Sequence, residues 1–452
     1  MTTLSLESLV AKVEAAYERI AATDRPEVWI HLRPKAEVLA EVAELANSIA
    51  QTKGNDSEAI AELPLAGTLF AVKGNIDLAG YQTTAACPTF GSVAEEDATA
   101  VARLRAAGAV PLGATNLDQF ATGLVGQRSP YGAVRHAFLP GKISGGSSSG
   151  SAVAVSLGIV DFALGTDTAG SGRVPAAFHG LIGIKPTRGL ISNHGVVPAC
   201  RSLDVVTVMA AELELASKAA EVMTGFDPAD PLSRVREQNF EVVARAQDTV
   251  IGIAKASQIG ELAPGWAQRF EQYIAELASA GFQIVEVDIA PLLRVATMLY
   301  EGAFVAERYA AVGQWLDEHL NDSSEDGSPA IDPTVGKIIT SAKNISAARL
   351  YKDFEELDIH RAYANRLFAQ IDALLLPTTV ELPTQAEVAA EPFAVNTRLG
   401  RFTNFANLLD LAAIAVPAGN VGAEPFGVQF VAPAFADEKL VGLAAMALGV
   451  EF

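Results

Sequence analysis

One lysine and two serines in this chain have the types and spacing for nucleophilic chemistry. Lys73 lies in Phe70-Ala71-Val72-Lys73-Gly74-Asn75, and Ser147 in Gly145-Gly146-Ser147-Ser148-Ser149-Gly150-Ser151. Ser171 follows twenty-four positions later, in Gly165-Thr166-Asp167-Thr168-Ala169-Gly170-Ser171-Gly172-Arg173. A serine hydroxyl is a weak nucleophile until a neighbouring base takes its proton. Lys73 can be that base, with no histidine, provided that it stays neutral. An unperturbed lysine has a pKa of about 10.4, and burial at the end of an apolar strand is one route to lowering it. Taken alone, Lys73 also reads as a strand-end side chain reaching solvent; the two serine segments favour catalysis.

Each segment has a plain alternative. The glycines before Ser147 free the backbone for unusual conformations, and the serines then open a helix whose first N–H groups lack internal partners. A phosphate loop would use the same features, but that motif needs a lysine after its glycines, and here Lys142 precedes them. A flexible Gly/Ser linker is disfavoured by the strong apolar runs on both flanks. In the second segment the N–H groups of Thr168, Ala169, Gly170 and Ser171 can converge on one point, as an oxyanion hole requires. Arg173 reads as a structural anchor for this turn.

The elements that must position these groups alternate between helix and strand. Apolar spacing predicts helices over 5–22, 35–52, 97–107 and 151–158, with a loop at 54–57. Short apolar runs predict strands at 69–73, near 110–112 and at 162–165, placing Lys73 at a strand's C-terminal edge, and 182–187 is another turn-terminated apolar segment. Further on, strands are expected at 249–253, 282–287, 373–377 and 427–431. Helices are expected over 264–281, 296–320 and 345–371, with a polar loop at 321–329. This alternation implies an α/β fold, a large mixed and mostly parallel sheet with helices on both faces. We expect one domain over 1–452: a core at about 60–225 and 366–452, an N-terminal helical segment 1–55 and a helical lobe at about 226–365.

The whole chain narrows the function classes. Its 452 residues are 50% hydrophobic and carry a net charge of −20, the profile of a globular protein with ample core. That acidity argues against nucleic acid and anionic membranes as partners. It also means that an anionic substrate would need a local cation. The two cysteines, Cys87 and Cys200, have no metal-ligand spacing and read as buried free thiols. No basic-then-apolar leader opens the chain and no apolar run is long enough to span a membrane. Together these features suggest a cytoplasmic, reducing location.

Residue by residue, the block from Lys73 through Pro186 resembles the amidase signature family of serine hydrolases, and the likeness extends over most of the chain. The resemblance implies that Ser171 is the nucleophile, Ser147 a bridging serine on a cis peptide and Lys73 the general base. Two positions depart from the commonest pattern. Ser149 stands where glycine is usual, and Ala169 replaces a frequent glycine, which is tolerable if its φ is negative.

Within the family the chain is most similar to allophanate hydrolases. That likeness rests on Thr115-Asn116-Leu117-Asp118-Gln119-Phe120-Ala121-Thr122-Gly123-Leu124-Val125-Gly126, on Thr168 through Pro175, on Val197 through Asp204 and on Leu299 through Tyr309. It implies that Gly123, Tyr300 and Arg308 bind the substrate, a small planar urea bearing a carboxylate. Arginine suits a carboxylate because its guanidinium can hold both oxygens. If Tyr300 and Arg308 share one helix, they stand about 80° apart around its axis. Gly123 would let backbone approach the ligand, where a side chain would block it. Acyl-enzyme chemistry of this kind releases ammonia and requires no metal or organic cofactor. The resemblance further implies a homodimer and a functional link to a urea carboxylase. Longer members continue with a C-terminal domain, whereas this chain ends at Phe452. The alternatives are a broad small-amide amidase, the glutaminase subunit of an amidotransferase, and a catalytically silent binding protein on the same scaffold.

Overall fold

The computed structural model describes residues 5–51, 63–236, 245–324 and 327–450. The loop expected at 54–57 lies outside them, as do residues 325–326 of the expected polar loop. The strands are β1 (Trp29–Leu32), β2 (Leu69–Lys73), β3 (Val110–Thr115), β4 (Phe162–Asp167), β5 (Ile182–Lys185) and β6 (Val205–Ala210). They continue with β7 (Val250–Ala254), β8 (Gln283–Val287), β9 (Ala373–Pro377), β10 (Ala412–Val421) and β11 (Glu424–Ala432). Among the described residues they form one eleven-stranded sheet in the order β1-β3-β2-β4-β6-β5-β10-β11-β9-β7-β8.

The sheet is mixed, as expected, but its expected parallel majority is absent. Four of the ten pairings are parallel and six are antiparallel. The connections explain this. β10 and β11 are joined through Gly422-Ala423 alone, and a link that short can only reverse the chain, because parallel neighbours need a long crossover. The antiparallel partners β5 and β9 flank that hairpin, and β6 runs against both β4 and β5. Segment 226–365 is not purely helical: it supplies β7 and β8, which run parallel to β9 and close one edge of the sheet.

The interior strands read as unbroken apolar runs because both faces are covered. Every residue of β2, β3, β4, β5, β6 and β9 is buried. Phe70 of β2 is the register partner of Phe162 on β4, and their rings stack at 5.3 Å. The helix Ser149–Ser156 is made of small residues and packs against β4. Ser151 Oγ donates to the Leu164 carbonyl at 2.8 Å, and a Cβ on Gly150 would stand 2.4 Å from the Val28 carbonyl oxygen. Both cysteines are free and buried.

The long helix expected over 296–320 is broken. A helix over Ala290–Glu301 ends at extended Gly302, a 3-10 turn covers Ala303–Val305, and a second helix runs over Ala306–His319. The break is built in: Asp353 Oδ2 accepts the Ala303 N–H at 2.5 Å, and a Cβ on Gly302 would lie 2.4 Å from the Met298 carbonyl oxygen. Tyr300 and Arg308 therefore sit on different helices, and the 80° separation expected on a single helix does not apply.

Candidate active site

β2 is parallel to both β3 and β4, so Lys73 and Thr166 emerge at the same edge of the sheet. Strand C-terminal ends in open α/β sheets are common places for ligand sites. Lys73 is fully buried, and its Nζ donates to Ser147 Oγ at 2.8 Å and Thr166 Oγ1 at 2.7 Å. Burial pushes the Lys73 pKa down to about 7. Asp118, Asp204 and Asp167 oppose that shift, and the positive charge of Arg308 assists it. An amine with this pKa is in large part unprotonated near neutrality, as a general base must be.

Ser147 follows Gly146 through a cis peptide bond, and its carbonyl accepts the Asp118 N–H at 3.1 Å. Asp118 is a functional residue that nothing in the sequence pattern singles out. Its Oδ2 accepts the N–H groups of Val125 and Gly126, and its Oδ1 those of Gln127 and Arg128, all between 2.9 and 3.0 Å. One buried carboxylate thus ties the loop after Gly123 to the peptide carrying Ser147. The glycines around it are small for that reason. A Cβ on Gly146 would meet Asp118 Oδ2 at 2.1 Å, and one on Gly123 would meet it at 2.6 Å. The Asp118 carboxylate thus gives a second reason for the absence of a side chain at Gly123, beside the expected clearance for a ligand.

Ser171 lies in the turn after β4, anchored as expected by Arg173. Asp167 and Arg173 are both fully buried, with Arg173 Nε 2.9 Å from Asp167 Oδ2. Burial disfavours an ionised Asp167, but the charge and hydrogen bonds of Arg173 outweigh it and hold the carboxyl below its ordinary range. Asp167 Oδ1 also accepts the Gly170 N–H at 2.8 Å. This corrects the expected four-donor hole, because the Gly170 amide is already engaged. The N–H groups of Thr168, Ala169 and Ser171 have no partner among the described residues. Ala169 avoids positive φ, which meets the condition for replacing glycine there, and its carbonyl accepts Thr403 Oγ1 at 2.6 Å. Ser149 is accommodated by a 3.4 Å hydrogen bond to the Asn116 carbonyl. Thr168 Oγ1 donates to Asp204, whose pKa burial pushes up to about 6.

Ser171 Oγ donates to the Gly123 carbonyl at 3.4 Å, and no hydrogen bond joins it to Ser147. Lys73 and Ser147 are therefore hydrogen-bonded, while Ser171 faces the next wall. That wall, Ala121-Thr122-Gly123, also meets Arg308. Arg308 Nη1 donates to the Ala121 carbonyl at 3.3 Å and to Thr122 Oγ1 at 2.9 Å, and its Nη2 donates to Tyr300 Oη at 3.1 Å. Arg308 as a residue is 1% exposed, its Nε has no partner, and no carboxylate pairs with its guanidinium among the described residues. Tyr300 also offers its ring face, 5.3 Å from the guanidinium carbon. The structure thus gathers Gly123, Tyr300, Arg308 and Ser171 around one short segment. Of the further contributors, Thr166 stands five residues before Ser171 and Asp118 two after Asn116, but nothing in their spacing marks them.

A mixed sheet with a lysine–serine pair and a serine turn at one edge defines a class of hydrolase, and direct comparison agrees. A model of the amidase family matches residues 12–441, and the chain belongs to that family of amide-hydrolysing enzymes. It is 42% identical over 435 residues to the urea amidolyase of Saccharomyces cerevisiae, a match covering 94% of this chain and 22% of that protein. The solved Kluyveromyces lactis allophanate hydrolase superposes with a TM-score of 0.87 at 40% identity, covering 99% of this chain and 73% of that one. A glutamyl-tRNA(Gln) amidotransferase subunit from Symbiobacterium thermophilum is 33% identical over 464 residues, covering 97% of this chain and 92% of its own length. The chain spans little more than a fifth of the urea amidolyases it matches, 22% and 21%. Among the described residues, no helix is long and apolar enough to cross a membrane.

Proposed function

We propose that this chain hydrolyses the terminal amide of allophanate (urea-1-carboxylate) and releases ammonia. The observation that carries the reading is Arg308: a buried guanidinium with no carboxylate partner among the described residues and an unengaged Nε–H. A buried cation left unpaired is costly, and a substrate carboxylate spanning Nε and Nη would pair it side-on. The likeness to allophanate hydrolase and urea amidolyase supports the same substrate. Gly123 and Tyr300 complete the binding wall.

In this mechanism Ser171 Oγ exchanges the Gly123 carbonyl for Ser147 Oγ and attacks the amide carbon. Its proton passes to Ser147, whose own proton passes to Lys73. The free N–H groups of Thr168, Ala169 and Ser171 hold the oxyanion. Collapse of the tetrahedral intermediate returns a proton through Ser147 to the leaving nitrogen. Water then cleaves the acyl-enzyme, and the dicarboxylated amine so released decomposes to carbon dioxide and ammonia. A urea carboxylase is the matching source of such a carboxylated urea. We read residues 1–452 as a single domain, and a homodimer in the cytoplasm as its working form.

The deciding experiment measures ammonia release from allophanate, malonamate, biuret, urea, propionamide and glutamine. The expected result is turnover of the two carboxylated amides far above the uncharged ones. Equal turnover of propionamide would instead assign a broad amidase. Ammonia release confined to glutamine would assign an amidotransferase glutaminase.

A further inference from the structure

The segment Phe120-Ala121-Thr122-Gly123 is held in a tense form by both arginines that touch it. Phe120 and Ala121 both lie in the left-handed region, each with φ of 51°. That region is sterically strained for a residue with a side chain. Arg128 Nη1 pins the Thr122 carbonyl at 3.0 Å, and its Nη2 reaches the Pro392 carbonyl at 2.6 Å. Arg308 holds the other side through the Ala121 carbonyl and Thr122 Oγ1. The Thr122 hydroxyl also commits its one proton, donating to the Phe120 carbonyl at 3.1 Å. One peptide further, the Gly123 carbonyl occupies the hydroxyl of Ser171. Anion-binding group and nucleophile are thus tied to adjoining residues of one strained strap.

We propose that Thr122 is a specificity-determining positioning residue that couples carboxylate capture at Arg308 to release of the Ser171 hydroxyl from Gly123. The proposal rests on the carboxylate-binding role of Arg308 given above. A carboxylate that pairs side-on with Nε and Nη2 pulls the guanidinium towards itself and draws Nη1 away from Ala121 and Thr122. As those bonds loosen, the strap relaxes, the Gly123 carbonyl withdraws and Ser171 turns to Ser147. A ligand shifts such an equilibrium only through its different affinity for the two forms. An anion that displaces the Arg308–Thr122 bond has that difference, and an uncharged amide lacks it. Substrates without a carboxylate would meet a nucleophile still bonded to Gly123.

The test is covalent labelling of Ser171 by phenylmethanesulfonyl fluoride, with and without acetate as a carboxylate that carries no amide. In the wild-type chain acetate should speed labelling several-fold. Thr122→Val should abolish that acceleration, and Thr122→Ser, which keeps the hydroxyl, should restore it. Thr122→Val lacks the bond that holds the strap before any anion arrives, so its labelling without acetate should already be several-fold faster than wild type, and its kcat for propionamide should rise several-fold towards that for malonamate. Acetate that slows labelling or leaves it unchanged, while malonamate turnover and its loss in Ser171→Ala are intact, overturns the coupling and spares the proposed function. Equal acceleration in Thr122→Val overturns it as well. If malonamate is not hydrolysed at all, the substrate reading itself fails. The wild-type acetate effect and Thr122→Ser decide the matter even if Thr122→Val does not fold.

Discussion

Two buried arginines in this protein are opposites. Arg173 spends its whole fork. Its Nε and Nη2 meet the two Asp167 oxygens, its Nη1 meets Gln429 Oε1 at 2.8 Å, and its Nη2 also reaches the Thr403 carbonyl and Asn407 Oδ1. Arg308 is as deeply buried, yet its partners are a carbonyl and two hydroxyls, all neutral, and its Nε has none. The first pattern fixes a fold: a paired, fully bonded charge locks the Ser171 turn onto β4, β11 and the helix Asn404–Leu408. The second leaves binding capacity in reserve. Burial alone does not separate a structural arginine from a functional one; the set of partners each N–H already holds does.

That contrast can be broken in several ways, beginning with the largest effect. Ser171→Ala should reduce ammonia release by at least about a thousandfold, as loss of a nucleophile does, while the circular dichroism spectrum stays native. Substantial turnover would detach both arginines from the chemistry assigned to their surroundings. Arg173→Met strands Asp167 in the core and should cost about 3–5 kcal/mol of unfolding free energy, measured by urea titration. A loss under about 1 kcal/mol would end its role as the anchor.

Arg308→Gln should act on recognition instead. Charged hydrogen bonds are worth about 1.5–3 kcal/mol, so kcat/KM for malonamate should fall roughly 10- to 100-fold relative to propionamide. An equal fall for both amides would mean that the guanidinium only holds the strap. The smallest effect lies in the pH profile. With the Lys73 pKa near 7 and the neutral amine as the active form, kcat/KM should rise with pH through about 7. Arg308 favours neutral Lys73, so Arg308→Gln should move this limb to higher pH. Asp204 favours the charged form, so Asp204→Asn should move it lower. Shifts of the same sign in both variants would mean that the limb does not belong to Lys73.

Much of the frame was legible. β2 and β9 coincide with their expected ranges, and β4, β7 and β8 fall within one or two residues of theirs, because apolar strands ending at Gly, Pro or Asp are marked by composition. β6 was missed although Val205-Val206-Thr207-Val208-Met209-Ala210 is strongly apolar, and β10 because Pro417 and its alanines resemble no strand pattern. The parallel bias failed because strand pairing depends on connection geometry, which periodicity does not record. The unbroken 296–320 helix failed because its interruption depends on Asp353, some fifty residues downstream.

At the site the same division holds. Lys73, Ser147, Ser171 and Arg173 were found because small-residue turns next to a reactive group are visible locally. Asp118 and Thr122 were not singled out: an aspartate that gathers four amides looks like any other aspartate until the chain closes around it. The sequence by itself determined which serines, which lysine and which small-residue turn were available, since these are properties of residue type and local backbone. Only the tertiary structure decided that the Gly170 amide is taken, that Ser171 is held by Gly123, and that Arg308 has no anionic partner among the described residues. Those facts depend on which distant groups meet in a water-excluded space, where each donor must find its acceptor or go without.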